Sequence, residues 1–346
     1  MLRIHHRASL ARANSLRLPS GTDCLFEACT LEDHRQALAL IRRRGWPLTV
    51  LGGGSNVVLG QWLEGAVLRS SARHYWLEPG ASGSDEALLH VEAGVDWPAL
   101  VREITADGWW GLENLALIPG SAGAAPIQNI GAYGVELADL VERVHCLEID
   151  SGRYRILSRA ECAFGYRDSV FKGELAGRML IVRLELRLSR HAAPRLGYGQ
   201  LRGRVEALCG VQQPTPARVA EAVSALRRER LPDPEQLGNA GSFFKNPVIS
   251  RAHFERLQAC HPEMPHYPAG EGRVKLAAGW LIEQCGFRGH RSGHVGVHDR
   301  QALVLVHHGG GSALELMTLA ERIRDAVRQT FEVNLDPEPR LYGVTG

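Results

Sequence analysis

Apolar and polar positions recur in two registers along this chain, one of period 3.6 and one of period 2, and the switches between them mark its elements. A helical register opens at Thr30: Thr30-Leu31-Glu32-Asp33 has capping-box spacing, with Asp in place of Glu or Gln. That helix is expected to run to about Arg44, where Gly45 and Pro47 stop it. The run Pro47-Leu48-Thr49-Val50-Leu51 then predicts a buried strand ending on Gly52-Gly53-Gly54-Ser55-Asn56, with apolar Val57-Val58-Leu59 beyond. Segments 87–95, 141–150, 154–158 and 180–188 alternate or run apolar at strand length and predict a middle region of mixed α and β structure. Pro214-Thr215-Pro216 introduces a helix whose apolar stripe is Val219, Ala222, Val223 and Leu226. It closes at Leu231-Pro232-Asp233-Pro234, the main boundary expected in the chain. A final part is expected to hold a helix near 274–285, a strand at 302–306 and a helix over 313–330, opened by Ser312 with Glu315 at capping-box spacing. No internal repeat or low-complexity tract is visible.

Composition narrows this picture. At 346 residues, 45% hydrophobic and 23% charged, the chain reads as a globular protein of two or three domains. Its 40 basic and 38 acidic residues nearly balance, so no polyanion-binding field is implied and nucleic acid is not an expected partner. The seven cysteines are odd in number and form no CxxC pair, the usage of reduced cytosolic thiols. The first twenty residues are basic and lack an acid, but they also lack the apolar stretch of a signal peptide and read as an arm leading into the first strand. No apolar run has the length of a membrane span, so a cytoplasmic location with no membrane partner is expected. Composition does not give the oligomeric state, for which a monomer is the expectation.

Candidate chemistry gathers in two stretches that a packing core would not select: residues 111–134, GLENLALIPGSAGAAPIQNIGAYG, and residues 238–247, GNAGSFFKNP. In the first, glycines 111, 120, 123, 131 and 134 are interspersed with small alanines and the amides Gln128 and Asn129, a texture that lets backbone N–H groups approach a ligand closely. Leu115, Leu117, Ile118, Pro126, Ile127 and Ile130 set it apart from a solvated linker. The loop 52–56 follows a strand but has neither GxGxxG nor GxxxxGK[ST] spacing, so Rossmann and P-loop readings fail. His290, His294 and His298 are spaced four apart, yet Gly289, Gly293 and Gly296 argue against a helix that would align them, and no metal is expected.

These two stretches, with GGGSN at 52–56, GYRDS at 165–169 and KLAAGWLI at 275–282, resemble the bacterial UDP-N-acetylenolpyruvoylglucosamine reductase family in its longer, type I form. The resemblance runs in the family's order from about position 48 to Arg340 and covers most of the chain. It implies an α+β fold: an FAD-binding fold of the vanillyl-alcohol-oxidase type built from two subdomains, plus a C-terminal substrate-binding domain. The expected division is 1–72 with the tail 333–346, then 73–230, then 231–332.

Reduction of an enol ether conjugated to a carboxylate needs a hydride donor, a clamp for the charge that builds on the carboxylate, and a proton for the adjacent carbon. The resemblance implies reduced flavin for the first, Arg167 and Glu338 for the second and Ser242 for the third. It further implies non-covalent FAD held by Gly52, Gly53, Gly54, Ser55, Asn56, Pro119, Gly120, Ser121, Gly123, Ala124, Gln128, Asn129, Gly131, Ala132, Tyr133, Gly134 and Arg227. Tyr198, Arg230 and Asn246 are the implied substrate contacts, UDP-N-acetylglucosamine enolpyruvate the substrate and NADPH the reductant. Asn14-Ser15-Leu16 only loosely matches the family's Asn-Thr-Phe, and Arg291 stands where a relative uses Gln, so the rim of the sugar site departs from the pattern. By residue type alone, an FAD oxidase of the same fold and a non-catalytic sugar-nucleotide sensor stay open at this point.

Overall fold

Thr30 caps the first helix as its spacing predicts. Its hydroxyl accepts the Asp33 N–H at 3.1 Å, the Asp33 carboxylate accepts the Thr30 N–H at 3.1 Å, and α1 (Leu31–Arg44) ends on Gly45 at φ 64°. The computed structural model describes residues 1–81, 84–210 and 212–344. By contacts the chain divides into two units with interleaved segments: Met1–Ala8, Thr22–Gly53 and Glu64–Glu229, and then Ser9–Gly21, Gly54–Leu63 and Arg230–Gly346.

The first unit is built on two sheets. One has the strand order Arg3–Ser9, Gly21–Ala28, Trp62–Ser70, Leu48–Val50. The expected buried strand thus lies at a sheet edge, paired only with Trp62–Ser70, and is half-buried instead. The other is a five-stranded antiparallel sheet in the order Tyr154–Ser158, Val141–Glu148, Met179–Ser189, Glu86–Glu92, Tyr75–Pro79. One of its faces (Leu89, Val91, Val144, Leu184, Leu186) packs on Leu100 and Ile104 of α2 (Trp97–Ala106). The same cluster takes in Leu201 and Val205 of α3 (Leu201–Cys209) and Val219, Ala222, Val223 and Leu226 of α4 (Pro216–Arg230). The other face sets Leu147, Leu180 and Val182 against Ala37, Leu38 and Ile41 of α1. Cover on both faces explains why these strands read as apolar runs, and each fully buried leucine contributes about 1.5–3 kcal/mol.

A polar rung crosses this sheet. Buried His145 sits between the Tyr154 hydroxyl and the Glu185 carboxylate, at 2.6 Å from each. Burial, with the nearby Arg183 guanidinium, pushes its pKa down despite Glu185. His34 on α1 is buried too; its Nδ1 lies 2.7 Å from the Thr30 carbonyl, and burial lowers its pKa as well.

The second unit centres on an antiparallel sheet in the order Gly238–Ser242, Val304–His307, Val295–Val297, Arg291–Ser292. The region expected as one helix near 274–285 is divided. Arg273–Leu276 is a strand paired on both sides, by Val248–Ser250 and His266–Pro268, and only Ala278–Gln284 is helical. Val274 and Leu276 alternate inward between Arg273 and Lys275, which is a strand's period. We label the unit's helices α5 (Arg251–Cys260), α6 (Ala278–Gln284) and α7 (Ala313–Phe331). Ser312 caps α7 by accepting the Glu315 N–H, but the Glu315 carboxylate accepts the His294 N–H at 2.8 Å instead of closing the box. Leu316, Leu319, Ala320, Ile323 and Val327 of α7 enter the core, and Val57–Leu59 pairs in parallel with Arg340–Tyr342. Among the described residues no helix is long and apolar enough to cross a membrane, and all seven cysteines are free thiols.

Candidate functional site

In the first unit two glycine loops meet backbone to backbone. Gly53 donates its N–H to the Ser121 hydroxyl at 3.2 Å. A Cβ on Gly53 would lie 2.8 Å from the Gly120 Cα and 3.0 Å from the Ser121 nitrogen; one on Gly52 would lie 2.7 Å from the Ser121 Oγ and 3.0 Å from the Ala124 Cβ. A Cβ on Gly123 would meet that of Ala93 at 2.6 Å. The second loop is anchored from below: the N–H groups of Trp97, Ala122 and Gly123 pair with the carbonyls of Gly120, Val95 and Ala93. The result is a close backbone junction of Gly52, Gly53, Gly120, Ser121 and Ala124. Gly54, Ser55 and Asn56 belong instead to the second unit, where Gly54 (φ 68°) accepts the Ser15 N–H at 2.9 Å and Asn56 accepts that of Arg340 at 3.1 Å.

The loop continues through exposed Pro119 and half-buried Gln128, Gly131 and Ala132 to a tight hairpin, in which Gly131–Ala132 pairs with Val135–Glu136. Asn129 is buried at φ 46° with its amide fully engaged. Nδ2 donates to the Glu136 carboxylate at 2.7 Å and the Gly165 carbonyl at 3.0 Å, and Oδ1 accepts the Ala138 N–H at 2.9 Å. Its side chain therefore ties the loop to the GYRDS turn rather than reaching outward. Arg167, at φ 53° in that turn, donates to the Gly131 carbonyl at 2.9 Å. Arg227 on α4 donates from Nε to the Leu117 carbonyl at 3.3 Å; burial first, then the charge of Arg167, lowers its pKa to about 10, so it remains cationic at neutral pH. Leu117, Asn129, Tyr133 and Arg167 all lie in the left-handed region, at a cost of order 1–3 kcal/mol each, which concentrates backbone strain in this loop and the turn beside it. Tyr198 is exposed, its ring edge-on to that of Tyr133 with centroids 5.9 Å apart, and Gly134 lies beneath it.

In the second unit Ser242 ends a strand that is bulged between Asn239 and Ser242, with Gly241 at φ 70°. The Ser242 side chain is half-buried and its hydroxyl makes no hydrogen bond among the described residues, while Phe243 and Phe244 behind it are buried. The C-terminal segment runs alongside: Glu338 donates its N–H to the Phe243 carbonyl at 2.8 Å, and Lys245 donates to that of Asp336 at 2.9 Å. Ser242 and Glu338, far apart in sequence, thus lie on adjoining backbone. The Asn246 Oδ1 accepts the Ala278 N–H at 3.0 Å and caps α6, which leaves its Nδ2 for other work. Arg230 is exposed at the last residue of α4, and exposed Arg291 donates to the Gly293 carbonyl. His290, His294 and His298 are spread along the hairpin of Arg291–Ser292 and Val295–Val297, and no group of three His, Cys, Asp or Glu among the described residues is placed to hold a metal ion.

Two supporting residues escaped the sequence reading. The Asn239 amide holds the bulge, donating to the carbonyls of Pro232 and Leu237 and accepting the Gly241 N–H at 3.0 Å. The Ser15 hydroxyl donates to the Asn239 carbonyl at 2.7 Å. Only the loose match at Asn14-Ser15-Leu16 hinted at the second, and nothing in the composition of GNAGSFF separates a bulge-holding Asn from a ligand-binding one.

A family model for the C-terminal domain of UDP-N-acetylenolpyruvoylglucosamine reductase matches residues 233–342, and a model for an FAD binding domain matches residues 22–158. The UDP-N-acetylenolpyruvoylglucosamine reductase of Chromobacterium violaceum is 48% identical over 319 residues, covering 90% of this chain and 92% of its own. That of Pseudomonas aeruginosa is 47% identical over 341 residues, covering 99% of both chains. The solved reductase structure from Thermus caldophilus superposes with a TM-score of 0.68 over 99% of this chain and 100% of its own; at 24% identity it speaks for the fold.

Proposed function

The chain belongs to the UDP-N-acetylenolpyruvoylglucosamine reductase family, and we infer that it performs the reaction of that family, the NADPH-dependent, FAD-mediated reduction of UDP-N-acetylglucosamine enolpyruvate to UDP-N-acetylmuramate in peptidoglycan synthesis. The residues fit the cofactor. Gly52 and Gly53 let the Gly120–Ser121 backbone close against their own, which brings the backbone N–H groups of two glycine loops together, and Arg227 supplies a half-buried cation beside the second loop. Gly52 to Asn56 and Pro119 to Gly134 are the segments we assign to the dinucleotide. When bound, FAD supplies a two-electron carrier between NADPH and the vinyl carbon of the substrate.

The observation that carries the chemistry is Ser242 and Glu338 on adjoining backbone, with the serine hydroxyl unengaged among the described residues. A hydroxyl is a weak acid, but the enolate-like species left after hydride arrives is a strong base, so Ser242 is suited to protonate the α-carbon. Arg167 offers a planar fork for the substrate carboxylate. A carboxyl group assists such a site by donating its proton as a hydrogen bond, the part we assign to Glu338. Tyr198 would cap the uridine diphosphate end, Arg230 would meet the diphosphate charge, and Asn246 would donate from Nδ2. We further propose a cytoplasmic monomer, with residues 1–72, 73–230 and 333–346 serving the cofactor and 231–332 the substrate, on whose product cell shape, the cell cycle and cell division depend.

Anaerobic spectroscopy tests this reading. The purified protein should carry a flavin band, NADPH should bleach it, and the enolpyruvyl sugar should restore it without oxygen. Restoration by oxygen alone would make the protein an oxidase; absence of a flavin band would leave a sugar-nucleotide sensor.

A further inference from the structure

Asn114 lies in the short turn Glu113–Leu115, fully buried, and belongs to none of the groups assigned above. The turn is clamped by the Trp97 indole, whose Nε1–H donates to the Leu115 carbonyl at 3.1 Å. From there the Asn114 Nδ2 donates to two carbonyls far from it in sequence, Tyr133 at 2.8 Å and Arg195 at 2.9 Å. Its Oδ1 is buried without a partner among the described residues, so the side chain is held for its two donors.

The two carbonyls belong to segments with different tasks. Tyr133 closes the loop assigned to the cofactor. Arg195 stands three residues before Tyr198 and is fixed a second time by an ion pair with Asp139 at 2.6 Å, while Leu196 packs on the core. Beyond Leu196 the packing opens: a Cβ on Gly197 or Gly199 would meet nothing within 4 Å among the described residues, Gly199 sits at φ 55°, and the Tyr198 carbonyl is held by the Leu201 N–H at 3.2 Å. Asn114 therefore marks where the Tyr198 segment leaves the packed core, and it ties that root to the residue whose ring Tyr198 meets edge-on. A primary amide suits the task, because it presents two N–H donors in one plane; a hydroxyl has one and a carboxylate none.

We propose that Asn114 is a positioning residue for the sugar nucleotide: by holding the Tyr133 and Arg195 carbonyls on one amide, it sets where Tyr198 closes relative to the cofactor loop. The inference rests on Tyr198 being a substrate contact. The test titrates the oxidised holoenzyme with UDP-N-acetylmuramate, following the flavin absorbance, in wild type, Asn114→Ala, Tyr198→Ala and the double variant. Asn114→Ala should weaken binding ~10-fold in the presence of Tyr198, as expected when two amide hydrogen bonds at a loop root are lost, and by less than ~2-fold in its absence. Should the alanine variant not fold, Asn114→Leu keeps the volume, removes both donors without burying a charge against the two carbonyls, and should give the same pattern. Equal losses in both backgrounds, or unchanged affinity in the single variant, would overturn the role of Asn114. A wild-type flavin spectrum indifferent to the sugar nucleotide would overturn the substrate reading beneath it.

Discussion

Gly52 and Gly53 face the same loop, but a methyl group would meet different things at the two positions. At Gly53 it would press on the backbone of Gly120 and Ser121, which cannot rotate away; at Gly52 its nearest neighbour is the Ser121 hydroxyl, which can turn. Gly53→Ala is therefore expected to destabilise the protein by about 1–3 kcal/mol and to lower the flavin retained through purification, with Gly52→Ala milder on both counts. Flavin-to-protein absorbance ratios and thermal melts of the two variants check this, and equal effects would refute it. Ser242 allows a sharper division, because its hydroxyl belongs to one half-reaction only. Ser242→Ala should be bleached by NADPH at nearly the wild-type rate, yet be reoxidised by the enolpyruvyl sugar at least ~10²-fold more slowly, and Ser242→Cys should recover part of the loss. Stopped-flow of each half-reaction decides it; unchanged reoxidation of the alanine variant would move the proton to Glu338. The glycines were legible in the sequence as clusters among small residues, a texture that permits close backbone approach. The tasks of Asn129, Asn239 and Asn246 were not, since an amide that braces a loop and one that greets a ligand are the same three-atom group.

Among the elements, the helix caps and apolar stripes could be read directly because each is settled within a few residues. The stretch from Arg273 to Gln284 misled, since Val274, Leu276, Ala278, Leu281 and Ile282 satisfy a strand and a helix in turn, and the pairing that decides between them comes from Val248–Ser250 and His266–Pro268. The polar rung of the five-stranded sheet was equally hidden, because His145 and Glu185 sit on different strands within apolar runs. That rung has a measurable consequence. His145 and His34 both have pKa values lowered by burial, so as pH falls through the ordinary histidine value near 6.5 the unfolded chain takes up protons that the folded one refuses. Stability is thus complete above about pH 6.5 and falls below it until the folded-state values are reached. Denaturant midpoints should drop between pH 7.5 and 5.5, and the drop should shrink in His34→Gln. An identical slope in that variant would show that His34 is not one of the groups involved.

On the scale of the whole molecule, the segments we assign to the cofactor present backbone groups and an arginine but no cysteine, and every cysteine is a free thiol. Heat or acid is accordingly expected to leave the flavin in the supernatant; colour that stays with the precipitate would mean a covalent link. The interleaving of the two units lay beyond the sequence, because the chain passes from one to the other between Gly53 and Gly54 with no change of composition. The pairing of Val57–Leu59 with Arg340–Tyr342 joins residues separated by most of the chain. On a ribosome the early strand must wait, its edge bare, until nearly the whole polypeptide has emerged, and a loop of that length closes slowly. Glu338, just ahead of the late strand, takes its place beside Phe243 only then. A nascent chain can therefore bring Gly53 against Gly120 early, while Asn56 waits for Arg340, and a product terminated before residue 338 lacks the carboxyl group we assign to the chemistry.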